Sequence, residues 1–571
     1  MNQEYQVWLN KCEDETLRAE LESIREDEAA VSDRFYTSLL FGTGGLRGVL
    51  GAGTNRMNIY TVGRATKGYA AYLKGRYQDP KCAISYDNRR NSDLFAKRSA
   101  AILASRGVKV YIYPELMPTP MRSWAVRQEG CQGGIMITAS HNPAIYNGYK
   151  AYGPDDCQLT DDYAHAVEQA IAAETYFDDA PAYTFEDGLR SGMIEIISQD
   201  VIDGFLAMVA KLAPGSAEDA AKLSIVYTPL NGTGRMPVLR ALTAAGFENI
   251  AVVPEQEFPD PDFTTCPYPN PEMKEALQKG LALFREKKAD LLLATDPDCD
   301  RVGTACWDGD EVRLITGNEM GVLLLDYICS SRKAAGTMPE GPVAVKTIVT
   351  TDMARVCAEH YGVEMRDVLT GFKYIGDQIA RLEAAGHPER FIFGYEESYG
   401  YLSGTSVRDK DAVNASLLIC RMCAEYKKRG WSLADALRDA EKRFGTFRNA
   451  LENHAFPGED GMNQMDRMMT ALRNDPPKAV MGIALKRVQD FLKRRDIDCV
   501  TGKTEEITLP ESNVLKFYFG DDITVVVRPS GTEPKLKVYH AIRGVGSEET
   551  EKTLKAWQEA FAKVTEALKK S

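Results

Sequence analysis

Gly134-Ile135-Met136-Ile137-Thr138-Ala139-Ser140-His141-Asn142-Pro143 starts as a short apolar run and breaks into polar residues. Gly134 to Ile137 reads as a buried strand, so the polar motif stands at a strand's C-terminal end. Upstream, strands are expected at Cys82 to Tyr86 and Val108 to Tyr113. Helices are expected near Asp93 to Arg106 and Thr119 to Gln128. The quoted strand is therefore the third of a βαβαβ unit.

The same order returns twice. Strands at Ser224 to Tyr227, Ile250 to Val253 and Asp290 to Ala294, with helices Arg235 to Ala245 and Glu272 to Glu286, lead into Asp296-Pro297-Asp298-Cys299-Asp300-Arg301. Strands at Val343 to Val349, Glu364 to Val368 and Arg390 to Phe393, with helices Met353 to Tyr361 and Tyr374 to Ala385, lead into Gly394-Tyr395-Glu396-Glu397-Ser398. The tail differs, with strands near Val514 to Phe519, Ile523 to Val527 and Leu536 to His540 and a helix from Glu548 to Lys569. Open α/β sheets bind ligands beyond their strand C-termini, so the three motifs are expected to converge. The expected fold is α/β: three similar mixed α/β domains and a smaller α+β C-terminal domain around a central cleft.

A chain of 571 residues is too long for one core, which suits several domains. Its formal net charge of −13 argues against nucleic-acid binding, which needs a basic face, so an anionic substrate must be drawn by local cations. Met1 to Leu40 lacks the basic and apolar regions of a signal peptide, and no apolar run approaches a membrane span. A cytoplasmic protein that meets no membrane is expected. The 12 cysteines are irregularly spaced and read as reduced core thiols, and Cys420 and Cys423 as helix packing without a zinc partner pair.

Asp296, Asp298 and Asp300 place carboxylates at i, i+2 and i+4, which an extended backbone would aim to one side, where their repulsion demands a cation. Oxygen-only ligands favour Mg²⁺. An EF-hand is excluded because Arg301 and Trp307 stand where Gly and Glu are required.

The Ser140 hydroxyl fits either a nucleophile or a turn cap. Asn147-Gly148-Tyr149-Lys150 favours chemistry, because a turn there returns a cation toward the same strand end, and His141 or Lys150 is placed to neutralise a phosphoryl group. The chain has no GxSxG elbow. Arg528-Pro529-Ser530-Gly531-Thr532-Glu533-Pro534-Lys535 gathers phosphate donors on a loop between two strands. Phe41-Gly42-Thr43-Gly44-Gly45-Leu46-Arg47-Gly48 is neither a dinucleotide fingerprint nor a P-loop, although its amides and Arg47 suit a phosphoryl group as well as a plain turn. Glu396 and Ser398, on an aromatic-flanked loop, suit sugar hydroxyls. Lys373 and the run Arg408-Asp409-Lys410-Asp411 add cations.

Together these motifs resemble the α-D-phosphohexomutase superfamily over nearly the whole chain. The resemblance implies an isomerase, an intramolecular phosphotransferase, with four domains. These are a phosphoserine domain with a helical leader at 1–205, a metal-binding domain at 206–315, a sugar-binding domain at 316–450 and a phosphate-binding domain at 451–571. It implies Ser140 as phosphoserine, and Mg²⁺ held by the Ser140 phosphate, Asp296, Asp298 and Asp300. It places Arg47 near the phosphoserine and Arg301 near the substrate, and makes Lys150 and Lys373 candidates for proton transfer. Glu396 and Ser398 would read the sugar, with Arg528, Ser530, Gly531 and Thr532 holding the distal phosphate and Arg408 and Lys410 as further substrate contacts.

Gly394 to Gly400 resembles the sugar loop of phosphoglucomutases more than that of phosphomannomutases. The Gly-Gly-Leu-Arg-Gly run and the leader resemble a branch that also holds phosphopentomutases. Glucose 1-phosphate is the expected substrate and glucose 1,6-bisphosphate the intermediate and activator, with pentose and mannose phosphates as alternatives. Two rivals are more remote. Asp298-Cys299-Asp300-Arg301-Val302 matches the DxDx[TV] signature of aspartyl-phosphate phosphotransferases, which would make Asp298 the nucleophile. A non-catalytic sugar-phosphate sensor is opposed by the intact Ser140 and Asp triad.

Overall fold

The computed structural model describes residues 3–42, 45–159, 161–177, 183–456, 461–529 and 535–570. Three short helices open the chain, α1 (Gln3–Lys11), α2 (Glu15–Ser23) and α3 (Glu28–Phe35). Asp14 and Asp27 start the second and third by accepting the Leu17 and Ala30 amides at 2.9 Å, each satisfying a donor the helix cannot. Tyr5, Trp8 and Phe35 bury a small aromatic core among them.

The first sheet holds β1 (Gly45–Val49), β2 (Lys81–Tyr86), β3 (Lys109–Ile112), β4 (Gly133–Ile137), β5 (Tyr146–Tyr152) and β6 (Ile194–Ile196), in the order β1-β5-β4-β2-β3-β6. β2, β3, β4 and β6 run parallel, while β5 returns antiparallel to β4 and β1 lies antiparallel to β5. β4 is buried along its whole length, as a strand covered on both faces should be. The pairing of Tyr86 with Ile137 brings the C-terminal ends of β2 and β4 side by side, so Asp87 and Thr138 emerge as neighbours.

The second sheet repeats the plan with β7 (Ile225–Thr228), β8 (Ile250–Val252), β9 (Leu291–Thr295), β10 (Val302–Asp308) and β11 (Glu311–Ile315), ordered β11-β10-β9-β7-β8. Again the strand before the motif, β9, is fully buried and the next one folds back antiparallel to it. One expected element is shorter. The helix expected from Glu272 spans Gln278–Lys287, because Glu272 caps onto Asn270 in a proline-punctuated turn.

Further on lie a parallel pair, β12 (Val343–Thr347) and β13 (Glu364–Val368), and an antiparallel hairpin, β14 (Phe391–Glu396) and β15 (Gly400–Leu402). Glu396 ends a strand where a loop was expected. The C-terminal sheet has eight strands, against three expected, and is covered by the helix Ser547–Lys570. Compactness divides the chain into two units, 1–317 with 375–434, and 318–374 with 435–571. Among the described residues no helix is long and apolar enough to cross a membrane, and the described cysteines are all free.

Candidate active site

The two motif-bearing strand ends of the first unit meet. Ser140 Oγ, leaving β4, donates to Asp296 Oδ2, just beyond β9, at 2.8 Å across 156 residues of sequence. Ser140 is 4% exposed and adopts φ +50°.

One carboxylate oxygen from each of Asp296, Asp298 and Asp300 lies within 4.8 Å of the others, and all three residues are buried. They converge by a tight turn and not by the extended backbone expected. Asp296 Oδ1 accepts the amides of Asp300 and Arg301 at 3.0 Å, and Cys299 takes φ +49°. An extended run would have aimed the carboxylates along a line, whereas the turn wraps them around a point.

Lys150 Nζ lies 2.9 Å from Asp298 Oδ2 and 3.6 Å from Asp300 Oδ2. Lys410 Nζ lies 3.2 Å from Asp300 Oδ2 and 3.2 Å from Asp409 Oδ1. Burial works against both ammonium groups, but Asp298, Asp300 and Asp409 around Lys150, and Asp300, Asp409 and Glu396 around Lys410, hold them protonated. Burial, with Asp298 and Asp300 adding, raises the Asp296 carboxyl. Asp298 is also pushed up by burial, but Lys150 and Lys410 outweigh that and keep it ionised.

The donor set fits a hard divalent cation. It is all oxygen, and Asp298 Oδ1 and Asp300 Oδ1 are buried without a hydrogen-bond partner, a condition that a bound ion relieves. Thr119 supports the same point, its amide and hydroxyl both reaching Asp298 at 3.0 Å from the start of the helix Thr119–Gln128.

Other expected residues gather here. His141 Nδ1 lies 3.3 Å from Ser140 Oγ, and burial, with the nearby Arg301 and Arg47 guanidinium groups, holds the imidazole neutral. Arg47, exposed on β1, donates to Asn142 Oδ1 at 3.4 Å. Arg301 Nη1 pairs with Glu272 at 2.8 Å, and Glu396 is close enough to add to its charge stabilisation. Ser398, half-buried, lies in the β14–β15 turn, where the Tyr399 carbonyl accepts the Val302 amide at 3.1 Å. The absence of a side chain at Gly400 admits the Lys410 stem, because an added Cβ would stand 2.2 Å from Lys410 Cδ.

Arg408 is not brought to the triad. Its side chain is buried against Glu383, and its amide donates to Ser123 Oγ at 3.0 Å. Lys373 and Arg528 belong to the second unit. Lys373 is buried with its Nζ 5.0 Å from the Tyr374 ring centre, and Arg528 pairs with Lys537 across the C-terminal sheet. Ser530, Gly531 and Thr532 lie outside the described residues. Thr119, Glu272 and Asp409 were not singled out from the sequence, because a threonine at a helix start and acids in polar stretches have ordinary readings there.

The chain is similar to known proteins along most of its length. Models of the phosphoglucomutase/phosphomannomutase α/β/α domains I, II and III match residues 38–177, 203–309 and 316–444, and the model of the C-terminal domain matches 475–564. A Staphylococcus epidermidis protein named phosphoglucomutase is 36% identical over 513 residues, covering 88% of this chain and 90% of its own length. One from Staphylococcus aureus is 33% identical over 541 residues, covering 94% and 95%. Among solved structures, a Thermus thermophilus protein described as a putative phosphomannomutase superposes with TM-score 0.69 at 22% identity, covering 93% of this chain and 99% of that one.

Proposed function

The chain belongs to the phosphoglucomutase/phosphomannomutase family of phosphohexomutase isomerases, and on that premise we propose that it interconverts glucose 1-phosphate and glucose 6-phosphate with Ser140 as the phosphoryl carrier. The observation that carries this reading is the 2.8 Å contact between the Ser140 hydroxyl and Asp296 at the head of a buried carboxylate triad. Phosphoryl transfer asks a protein mainly to position an acceptor in line and to balance charge on the moving oxygens. A hydroxyl beside a buried carboxylate triad and two ammonium groups supports this reading.

In the proposed cycle the Ser140 Oγ–P bond breaks as the 6-hydroxyl oxygen of glucose 1-phosphate bonds to phosphorus; the 6-hydroxyl proton passes to a neighbouring base, and the departing Ser140 oxygen takes up a proton to become the hydroxyl. The glucose 1,6-bisphosphate formed then turns over, and its other phosphoryl group returns to Ser140. His141 and Lys150 are proposed to exchange protons with the reacting hydroxyls, and from the family resemblance alone Lys373 is assigned the same role. Asp296, Asp298, Asp300 and the Ser140 phosphate would hold Mg²⁺, which when bound supplies positive charge to the transferring phosphoryl oxygens. Arg47 and Arg301 are proposed to orient the phosphoryl group and substrate, and Glu396, Ser398 and Lys410 to meet the sugar. From sequence motif alone, Arg528 with Ser530, Gly531 and Thr532 is assigned the phosphate that is not reacting.

Ser140→Ala should abolish mutase turnover in a coupled assay while calorimetry still detects Mg²⁺ binding. Substantial conversion of glucose 1-phosphate by that variant overturns the carrier assignment. Running ribose 1-phosphate and mannose 1-phosphate beside glucose 1-phosphate tests the choice of sugar.

A further inference from the structure

Ser140 is a non-glycine residue with φ +50°, a conformation that an L side chain disfavours and that persists only where its surroundings impose it. The surroundings form a continuous buried chain of hydrogen bonds that starts at the neighbouring strand. The Ser140 amide donates to Thr138 Oγ1 at 2.8 Å, and the Thr138 hydroxyl donates to Asp87 Oδ2 at 2.7 Å. A hydroxyl has one proton, so accepting from Ser140 and donating to Asp87 fixes its direction.

Asp87 serves this role as a fully occupied carboxylate. Oδ1 accepts the Ser92 hydroxyl at 2.7 Å and the Arg89 amide at 3.0 Å, while Oδ2, besides Thr138, faces Arg89 Nε at 3.2 Å. Arg89 has a completely buried side chain, and its two terminal nitrogens donate to four carbonyls of the Ser140 loop. These are Ser140 at 2.6 Å, Asn142 at 2.5 Å, Pro143 at 2.9 Å and Tyr146 at 3.0 Å. Burying an arginine to satisfy main-chain oxygens is costly, and what it secures is the path of one loop.

The end of β7 offers an internal comparison. There Thr228 Oγ1 accepts the amide of Leu230, also left-handed at φ +47°, but its hydroxyl partner is the neutral Gln256. The turn device is shared, whereas the ionic backing by Asp87 and Arg89 occurs behind the serine.

We propose that Asp87, Arg89 and Thr138 are positioning residues for the phosphoryl carrier: acting through the Thr138 hydroxyl and the loop carbonyls, they hold Ser140 left-handed so that Oγ points at the carboxylate triad. The inference rests on Ser140 being the carrier. None of the three needs to touch substrate, so their loss should slow transfer and leave substrate binding intact.

The test is Thr138→Val, which keeps the side-chain shape and removes the hydroxyl, beside Thr138→Ser, which keeps the hydroxyl. Valine should lower kcat about ten- to a hundredfold, the range expected when a buried hydrogen-bond relay loses its central member, with KM nearly unchanged. Serine should restore most of the loss. Phosphate incorporated into Ser140 from glucose 1,6-bisphosphate, followed by intact mass, should slow in parallel, while the Mg²⁺ affinity measured by calorimetry holds. Wild-type kcat in Thr138→Val, or a serine variant no better than valine, overturns the proposal. If the valine variant does not fold, Ser92→Ala removes one donor to Asp87 instead and should lower kcat about threefold to tenfold, and an unchanged kcat there also overturns it. If the wild-type enzyme turns over without phosphate ever appearing on Ser140, the carrier assignment itself fails.

Discussion

Replacing Lys410 by Met should make the protein depend on Mg²⁺ for its stability. Lys410 Nζ sits 3.2 Å from Asp300 Oδ2 and 3.2 Å from Asp409 Oδ1, and its stem runs past Gly400, so the methylenes of Met can fill the same path without the charge. At an effective dielectric of about 20, each of those contacts amounts to roughly 5 kcal/mol of attraction. Burying the ammonium and crowding it near Lys150 offset much of that, and deleting one side of a buried pair usually costs about 3–5 kcal/mol. In EDTA the variant should therefore melt about 3–6 °C below wild type. Mg²⁺ restores the missing positive charge, and it no longer has to displace an ammonium from Asp300. The variant should bind Mg²⁺ more tightly and gain more from it than wild type, for which a hundredfold excess over Kd contributes about 2.7 kcal/mol. Thermal unfolding followed by circular dichroism across a Mg²⁺ titration reads both quantities. Equal midpoints in EDTA, or a loss of the same size with and without Mg²⁺, would show that Lys410 acts by packing and refute the charge argument.

Two further perturbations test other parts of the structure. His540, buried on the C-terminal sheet against Phe561 and facing Glu452 and His454, is held down to about 4 by burial, so it is neutral when folded and titrates near 6.5 when unfolded. Its contribution to stability is complete above ~6.5 and is lost as pH falls toward 4, at about 1.4 kcal/mol per pH unit, so His540→Gln should flatten the acid limb of urea-unfolding stability, and an unchanged slope would exclude this histidine as its source. Gly148→Ala would place a Cβ 2.4 Å from the Thr138 carbonyl oxygen and 3.0 Å from that of Leu46, two backbone atoms that cannot rotate aside. A loss of about 1–3 kcal/mol in stability and at least a tenfold loss of turnover are expected, and wild-type values for both would mean that β4 and β5 spread without consequence.

The parts of the site that were legible in the sequence are those where one residue type at one position admits few roles. Asp296, Asp298 and Asp300 after an apolar run read as a cation site against the alternative of a solvated acidic turn, and Ser140 ended a strand with a returning Lys150. The relations between charges were not legible. Arg408 and Lys410 look alike as cations two residues apart, yet one is buried against Glu383 and the other faces Asp300. Which way each turns is decided by Ser123 fixing the Arg408 amide and by the space above Gly400, contacts 285 residues and 10 residues away in the chain. Glu272 was hidden for a local reason, since helical periodicity extended through it, while the prolines around Asn270 left it free to pair with Arg301. In the C-terminal sheet, strands such as Thr446–Ala455 mix half-buried and exposed residues, so they lack the apolar run that announces a strand.

Backbone conformation was the least legible feature and ties the three motifs together. At the tip of each strand-to-strand return stands a non-glycine residue in the left-handed region: Ser140 between β4 and β5, Cys299 between β9 and β10, and Tyr399 between β14 and β15, at φ +50°, +49° and +66°. None of these residue types favours that conformation, so no propensity announces it, and each has to be imposed by its own setting. Around Ser140 the setting is Thr138 and Arg89, around Cys299 it is Asp296 accepting two amides, and around Tyr399 it is the bond from the Val302 amide. The last contact joins the β14–β15 turn to the strand that leaves the carboxylate triad, and the Ser140 hydroxyl joins the triad to the first sheet. The three strained turns thus stand in contact within a single compact unit. A chain folded this way holds the Ser140 hydroxyl, the carboxylate triad and the polar turn in fixed register, the kind of arrangement that the proposed transfer, governed by positioning, requires.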